Sequence, residues 1–128
     1  GKYLKDSGLA IDGIYCSPSI RTKTTASLVA EQLKFDTDNI VLSETLYGSG
    51  PRGYLSLLNG LENHLNTVII VGHNPDISFF ADYLSIQDCG GSMEKATTIH
   101  LKFGDLEWVE ISQKSGGFVK RTDVIELT

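Results

Sequence analysis

The chain has 128 residues, of which 41% are hydrophobic and 21% are charged, and its net charge is −5. This length is enough for one domain with a hydrophobic core, and the composition is ordinary for a globular protein. The 11 Lys and Arg residues are scattered along the chain, which argues against nucleic acid or an acidic membrane surface as a partner. We recognise no transmembrane run and no signal peptide, so we expect a cytoplasmic protein.

Hydrophobic periodicity divides the chain into alternating strands and helices. Apolar residues spaced by three and four predict helices, whereas short β-branched runs and strict alternation predict strands. In chain order, the sequence predicts the end of a helix at 1–7, a strand at 13–16, a helix at 19–34, a strand at 40–42, a helix at 52–64, a strand at 67–71, a helix at 75–86, strands at 96–103 and 106–111, and an extended tail or last strand at 118–127. Gly104 and Asp105 separate two of these strands, so we expect a β-hairpin there.

The cysteines and histidines do not form a metal-binding pattern. The two cysteines, Cys16 and Cys89, are far apart without a CxxC spacing, and the three histidines are scattered. We therefore expect neither a metal nor a cofactor. Cys16 lies in a predicted strand, where a buried and unreactive thiol is expected.

The strand at 67–71 leads through a tight turn into a helix. The run is apolar on both faces, which predicts a strand covered on both sides within a parallel sheet. Gly72 allows a close turn, Asn74 is a good helix N-cap, and Pro75 suits the first helical position. His73 therefore lies at the carboxyl end of a strand, where ligands bind in open α/β sheets.

The strand at 13–16 leads into a similar turn, where Ser17 or Ser19 can cap the following helix. Arg21 falls in the first turn of that helix, where the helix dipole disfavours a cation unless an anion lies nearby. If the two strands are parallel neighbours, Arg21 and His73 converge with two helix N-termini on one oxyanion pocket. Taken singly, such an arginine is often only solvated, and such a histidine is often only a turn residue.

These two turns resemble motifs of a known family. Residues 17–26, SPSIRTKTTA, resemble the SPxxRxxxTA segment of the histidine phosphatase (phosphoglycerate mutase-like) superfamily. Residues 71–75, VGHNP, resemble its second histidine motif, in the form common in SixA-like phosphohistidine phosphatases. The resemblance implies a three-layer α/β/α sandwich with a mostly parallel sheet, to which the sequence adds the C-terminal β-hairpin.

The resemblance also implies a covalent mechanism without a metal. In the family, a histidine in an Arg-His-Gly or Arg-His-Ala motif attacks phosphorus, and water then hydrolyses the phosphohistidine. Arg21 matches the second of two arginines, and His73 matches the second histidine, which together hold the phosphoryl oxygens. We add Ser17 and Asn74 as phosphate contacts, although for Ser17 we favour the role of a helix cap. Glu44 is the candidate general acid, with a solvated loop carboxylate as the alternative.

The nucleophile motif of that family does not occur in the 128 residues. In the family layout it lies about thirty residues before the helix that ends at 1–7. We therefore expect residues 1–128 to be a single domain that is N-terminally incomplete. His64 and His100 are expected at the surface and cannot replace the nucleophile. An open sheet position beside the strand at 67–71 would agree with this expectation.

The function expected for the intact domain is removal of a phosphoryl group, from phosphohistidine in a protein or from a small phosphoryl compound. The alternatives are a non-catalytic phosphate- or phosphopeptide-binding module and a small-molecule phosphomonoesterase. The expected partner is a phosphorylated protein or a small phosphoryl substrate, not nucleic acid or a membrane. Tyr47 and Arg52 are expected at the pocket rim, and Trp108 is expected to pack in the core.

Overall fold

The computed structural model describes residues 10–46, 50–73, 76–87, 98–104 and 106–122. Its strands are β1 (Gly13–Cys16), β2 (Val41–Leu42), β3 (Val68–Val71), β4 (Thr98–Lys102) and β5 (Gly117–Thr122). Its α-helices are α1 (Ile20–Leu33), α2 (Gly50–Asn59) and α3 (Asp76–Leu84), and short 3-10 turns cover Thr37–Asn39, Glu44–Leu46 and Trp108–Glu110. The predictions for residues 1–8, Tyr47, Asn74, Cys89 and the residues after 122 lie outside the described residues.

Three strands form a parallel sheet in the order β2-β1-β3. β1 pairs with β3 from Gly13 opposite Val68 to Cys16 opposite Val71. On its other side β1 pairs with β2, where Cys16 lies opposite Leu42. The sequence prediction of a mostly parallel sheet is therefore confirmed.

Helices cover both faces of this sheet. α1 packs on one face, where Ile14 and Cys16 form a buried cluster with Ala26 and Ala30. α2 and α3 pack on the other face around a second cluster, whose buried members are Leu46, Tyr54, Leu58, Phe80, Leu84 and Ile111. Tyr15 packs against this second cluster, as the alternation of side chains along a strand requires. The three-layer α/β/α prediction is confirmed, and so is the burial of the Cys16 thiol.

The C-terminal antiparallel pair is confirmed, but its second strand is not the predicted one. β4 pairs with β5, with Thr98 opposite Thr122 and Lys102 opposite Gly117. The segment at 106–111 is instead irregular and contains a 3-10 turn. The prediction of a hairpin between 96–103 and 106–111 is therefore wrong, and the tail supplies the second strand.

Contacts with distant parts of the chain explain why the segment at 106–111 is not a strand. The indole N–H of Trp108 donates to the carbonyl of Leu65 at 2.8 Å. The side-chain amide of Asn59 donates to the carbonyls of Trp108 and Ile111 at 2.8 Å and 3.1 Å. The two bonds from Asn59 occupy backbone acceptors that a strand would offer to a neighbouring strand, and the indole bond fixes Trp108 to the loop before β3. Trp108 also packs against the second cluster, which confirms its predicted packing role.

β3 is an edge strand in the part of the chain that the structure describes. Its paired neighbour is β1, and its other edge pairs with no described strand. All four residues of β3 are apolar but only half-buried, so the strand is covered less completely than its sequence predicts. Val68 and Ile70 of β3 pack against the same second cluster as Leu101 of β4. β3 and β4 thus contact the same cluster without pairing with each other.

Smaller differences concern one helix end and one histidine. The helix predicted over 52–64 ends at Asn59, whose side chain bonds to the Trp108 segment. His64 is exposed as expected, but His100 is half-buried rather than at the surface. Burial, aided by the positive charge of Lys102, lowers the pKa of His100.

Within the described ranges, no helix combines the length and the apolar character needed to cross a bilayer.

Candidate functional site

The turn after β1 is held by hydrogen bonds of Ser19 and Thr22. Ser19 is the N-cap of α1, because its hydroxyl accepts from the N–H of Thr22 at 3.3 Å. The hydroxyl of Thr22 donates to the carbonyl of Ser17 at 2.5 Å. Ser17 is therefore not the cap, which corrects one of the two options left by the sequence. Its own hydroxyl is fully buried and has no hydrogen-bond partner among the described residues.

Arg21 is the second residue of α1 and stands at the positive end of the helix dipole. Its side chain is exposed, and it forms no ion pair with an acidic residue in the described part of the chain. The first turn of α1 contains no acidic residue. An anion bound at this turn would interact favourably with both the guanidinium and the free N–H groups of the helix.

The turn after β3 holds His73 through both its backbone and its side chain. The carbonyl of His73 accepts from the N–H of Ile77 at 2.9 Å, so α3 begins directly after this turn. The N–H of His73 donates to the hydroxyl of Tyr54 at 3.3 Å. The imidazole Nε2 lies 3.4 Å from Oδ2 of Asp76. The predicted N-cap and phosphate contact Asn74 lies outside the described residues.

The strand register places these two turns side by side. Cys16 lies opposite Val71, and the N–H of Ser17 donates to the carbonyl of Val71 at 3.1 Å. Because β1 and β3 are parallel, the backbone leaves the sheet at the same edge after each strand and enters a helix there. The prediction that the two strands are parallel neighbours is confirmed. The convergence of the Arg21 and His73 side chains on one ligand stays a prediction.

A third turn, after β2, brings Glu44 to the same edge of the sheet. The preceding residue Ser43 donates its N–H to the carbonyl of Cys16 at 2.9 Å, and Glu44 then opens a short 3-10 turn. The carboxylate of Glu44 is exposed, so both its role as a general acid and the solvated alternative stay open predictions. Arg52, predicted at the pocket rim, is exposed on α2.

Two residues around His73 were not identified from the sequence. Tyr54 is fully buried, yet its hydroxyl reaches the His73 turn. Burial raises the pKa of Tyr54, and the negative charge of Asp76 adds to this shift. The sequence shows Tyr54 only as a core position of an amphipathic helix. The available signal for Asp76 is its spacing of three residues from His73, which brings the two side chains together at the start of a helix.

Comparisons with known proteins bear on the fold. No family model and no curated protein matches the chain. A solved structure from Nakamurella multipartitia, named as a candidate phosphohistidine phosphatase SixA, is similar to this chain with a TM-score of 0.69. The similarity covers 94% of this chain and 75% of that chain, at 20% sequence identity. The chain therefore has the same α/β fold as that SixA structure.

Proposed function

We propose that the intact domain is a phosphatase that removes the phosphoryl group of phosphohistidine, and that Arg21 and His73 hold this group during transfer. The observation that carries the proposal is the parallel register of β1 and β3, with Cys16 opposite Val71. This register sets the two turns beside each other at the carboxyl edge of the sheet. The name of the Nakamurella structure with the same fold supports the class of substrate.

The charges at this edge suit a phosphoryl group. The guanidinium of Arg21 is exposed at the N-terminus of α1, and the carbonyl of His73 accepts the N–H of Ile77 in the first turn of α3. A planar guanidinium can bind two phosphoryl oxygens at once, and the N–H groups at a helix N-terminus favour a negative ligand. The buried Ser17 hydroxyl, which has no partner among the described residues, is a further donor for a phosphoryl oxygen. Together these groups would stabilise the charge that develops in the transition state.

The proposed reaction has two phosphoryl transfers. A histidine nitrogen of the enzyme bonds to phosphorus while the P–N bond of the substrate breaks, and the released imidazole nitrogen takes up a proton. Water then attacks phosphorus, the second P–N bond breaks, and inorganic phosphate leaves with the enzyme histidine restored. The leaving group is the imidazole of the substrate histidine, which departs readily when it is protonated, so this reaction places little demand on Glu44 as a general acid.

We place the nucleophilic histidine outside residues 1–128, on a strand that would fill the free edge of β3. The support is that β3 pairs only with β1 in the described residues, and that β3 and β4 contact the same cluster without pairing with each other. We also propose that the protein acts in the cytoplasm on a phosphorylated protein. The coding sequence before Gly1 tests the proposed location of the nucleophilic histidine. An Arg-His-Gly or Arg-His-Ala after a short apolar run there would favour the enzyme.

The second candidate function is a non-catalytic module that binds phosphate or a phosphopeptide through the same two turns. The exposed Arg21 without a described acidic partner favours anion binding under either function. A gene that starts near Gly1 would favour this module. Turnover by the full-length protein of phosphohistidine, but not of alcohol phosphates, would separate the proposed enzyme from a small-molecule phosphomonoesterase.

The test of the proposed function is substitution of Arg21 and His73 in the full-length protein. We expect Arg21→Ala and His73→Ala each to lower kcat for a phosphohistidine protein by about 10²- to 10³-fold, because each removes a group that stabilises the transition state. The melting temperature should change little, since Arg21 is exposed and His73 is only half-buried. Release of inorganic phosphate is the measurement.

The chain offers a matched control for each substitution. His64→Ala removes an exposed histidine, and Lys34→Asn removes a cation at the far end of α1, where asparagine tolerates the left-handed backbone with φ of 57°. Both controls should keep full activity. Full activity of Arg21→Ala or His73→Ala would contradict the site assignment.

A further inference from the structure

We propose that Tyr54 and Asp76 are positioning residues for His73, with Tyr54 fixing its backbone and Asp76 fixing its imidazole. The inference rests on the proposed function, because it adds two residues to the same site. Neither residue touches the phosphoryl group in this proposal. Both act through His73.

Tyr54 reaches the His73 turn from the hydrophobic core. Its side chain is fully buried in the second cluster, and its ring lies against Phe80 with centroids 5.3 Å apart. The hydroxyl accepts the N–H of His73 at 3.3 Å, across the interface between α2 and the end of β3. A hydroxyl on a ring that is packed on all sides has little freedom to move. Tyr54 therefore fixes the point at which the backbone leaves β3.

Gly72 shows how closely Tyr54 is packed against this turn. A Cβ atom at Gly72 would overlap the Tyr54 hydroxyl and would lie only 2.6 Å from its Cε2. Glycine is required here by the approach of the tyrosine, which is a packing reason rather than a conformational one. The close packing against Gly72 and the hydrogen bond from His73 together tie the two residues after β3 to Tyr54 of α2.

Asp76 holds the imidazole from the first turn of α3. Its Oδ2 lies 3.4 Å from Nε2 of His73, and its side chain is 19% exposed while that of His73 is 35% exposed. The carboxylate is at the N-terminal end of α3, where the helix dipole stabilises it. A partly buried carboxylate beside a ring nitrogen limits the rotation of the ring and selects which nitrogen faces it.

The consequence is a histidine whose position is set before any ligand arrives. A group that must meet developing charge contributes most when it does not have to reorganise during the reaction. Loss of positioning is therefore expected to lower kcat more than it raises KM. A merely structural role would instead lower the fraction of folded protein and leave the KM and kcat of the folded protein unchanged.

The experiment uses Tyr54→Phe, Asp76→Ala and Asp76→Asn in the full-length protein, with a phosphohistidine protein as substrate. We expect Tyr54→Phe and Asp76→Ala each to lower kcat by about tenfold, as loss of one polar contact of a positioned group would do. KM should change by less than about twofold. Asp76→Asn keeps the size and an acceptor oxygen, so it should recover most of the activity lost in Asp76→Ala.

A double-mutant cycle with His73→Ala tests whether Tyr54 and Asp76 act through His73. If Tyr54 and Asp76 act through His73, adding Tyr54→Phe or Asp76→Ala to His73→Ala should cause no further loss. Tyr83→Phe and Asp82→Asn on α3 are the matched controls and should behave as the wild type. Unchanged kcat in Tyr54→Phe or Asp76→Ala, equal loss in Asp76→Asn and Asp76→Ala, or additive loss on His73→Ala would overturn this inference. Full activity of His73→Ala would instead overturn the proposed function as well.

Discussion

Asp12 fixes the start of β3 although its side chain is exposed. Its Oδ2 accepts the N–H groups of Asn66 and Thr67 at 2.8 Å and 3.0 Å. These two bonds hold the pKa of Asp12 below its usual range, and the bond from Thr67 has the larger effect. One carboxylate therefore ties the residue before β1 to the residues before β3, and so helps to set the register on which the site depends.

The lowered pKa of Asp12 predicts a dependence of stability on pH. Between the lowered pKa and the ordinary one, the unfolded chain binds the proton and the folded chain does not. The stabilisation is complete above the ordinary pKa and is lost as the pH falls through the lowered one. In urea unfolding from about pH 7 to about pH 3, Asp12→Asn should show a smaller loss of stability than the wild type. Asp38→Asn, on an exposed 3-10 turn, is the control, and equal slopes for Asp12→Asn and the wild type would contradict the prediction.

The individual residues of the site were predictable only where their chemistry is visible in the sequence. Arg21 and His73 follow strands, and their positions at the starts of helices follow from periodicity and turn residues. Ser17 and Ser19 are equivalent as N-caps in the sequence, and only the bond from Thr22 distinguishes them. Tyr54 could not be recognised, because a helical pattern indicates which face is buried and not where a hydroxyl at the end of a side chain lies.

At the scale of elements, the connection between α2 and the Trp108 turn is the interaction that local pattern could not predict. Residues 106–111 contain apolar residues and follow a Gly-Asp pair, as a hairpin strand would. Their structure is decided by Asn59 and Leu65, which lie more than forty residues earlier in the chain. By contrast, α1 and α3 were predicted within two residues at each end, because their periodicity is local.

Asn59 is expected to be the main polar link between these two elements. Asn59→Ala removes the donor to the carbonyls of Trp108 and Ile111, and should lower the free energy of unfolding by about 1–3 kcal/mol. Trp108 is the one tryptophan of the chain, so its fluorescence should shift to the red as the turn loosens. Asn63→Ala, in the exposed loop after α2, is the control. An unchanged unfolding free energy would show that the two bonds do not stabilise the turn.

At the scale of the whole molecule, the described strands form two separate groups, and one edge of β3 pairs with no described strand. β2, β1 and β3 form one sheet, and β4 and β5 form another. An edge left unpaired beside the four half-buried apolar residues of β3 would be unfavourable, because N–H and C=O groups would lack partners and apolar side chains would contact water. One added strand running parallel to β3 would pair this edge. The sequence predicts an open position here because the Arg-His-Gly or Arg-His-Ala motif does not occur in the 128 residues, and this stays a prediction.

Hydrogen exchange can test whether a strand fills this position in the full-length protein. In residues 1–128 alone, the β3 amides that point away from β1 should exchange rapidly, whereas pairing with an added strand should slow them by about tenfold or more. The β1 amides serve as an internal control, because β1 already lies between β2 and β3 and should change much less. A charged substitution on the added strand should restore rapid exchange in β3 and abolish turnover together, since both depend on the same insertion. Equal protection of β3 in residues 1–128 and in the longer protein would exclude the proposed added strand.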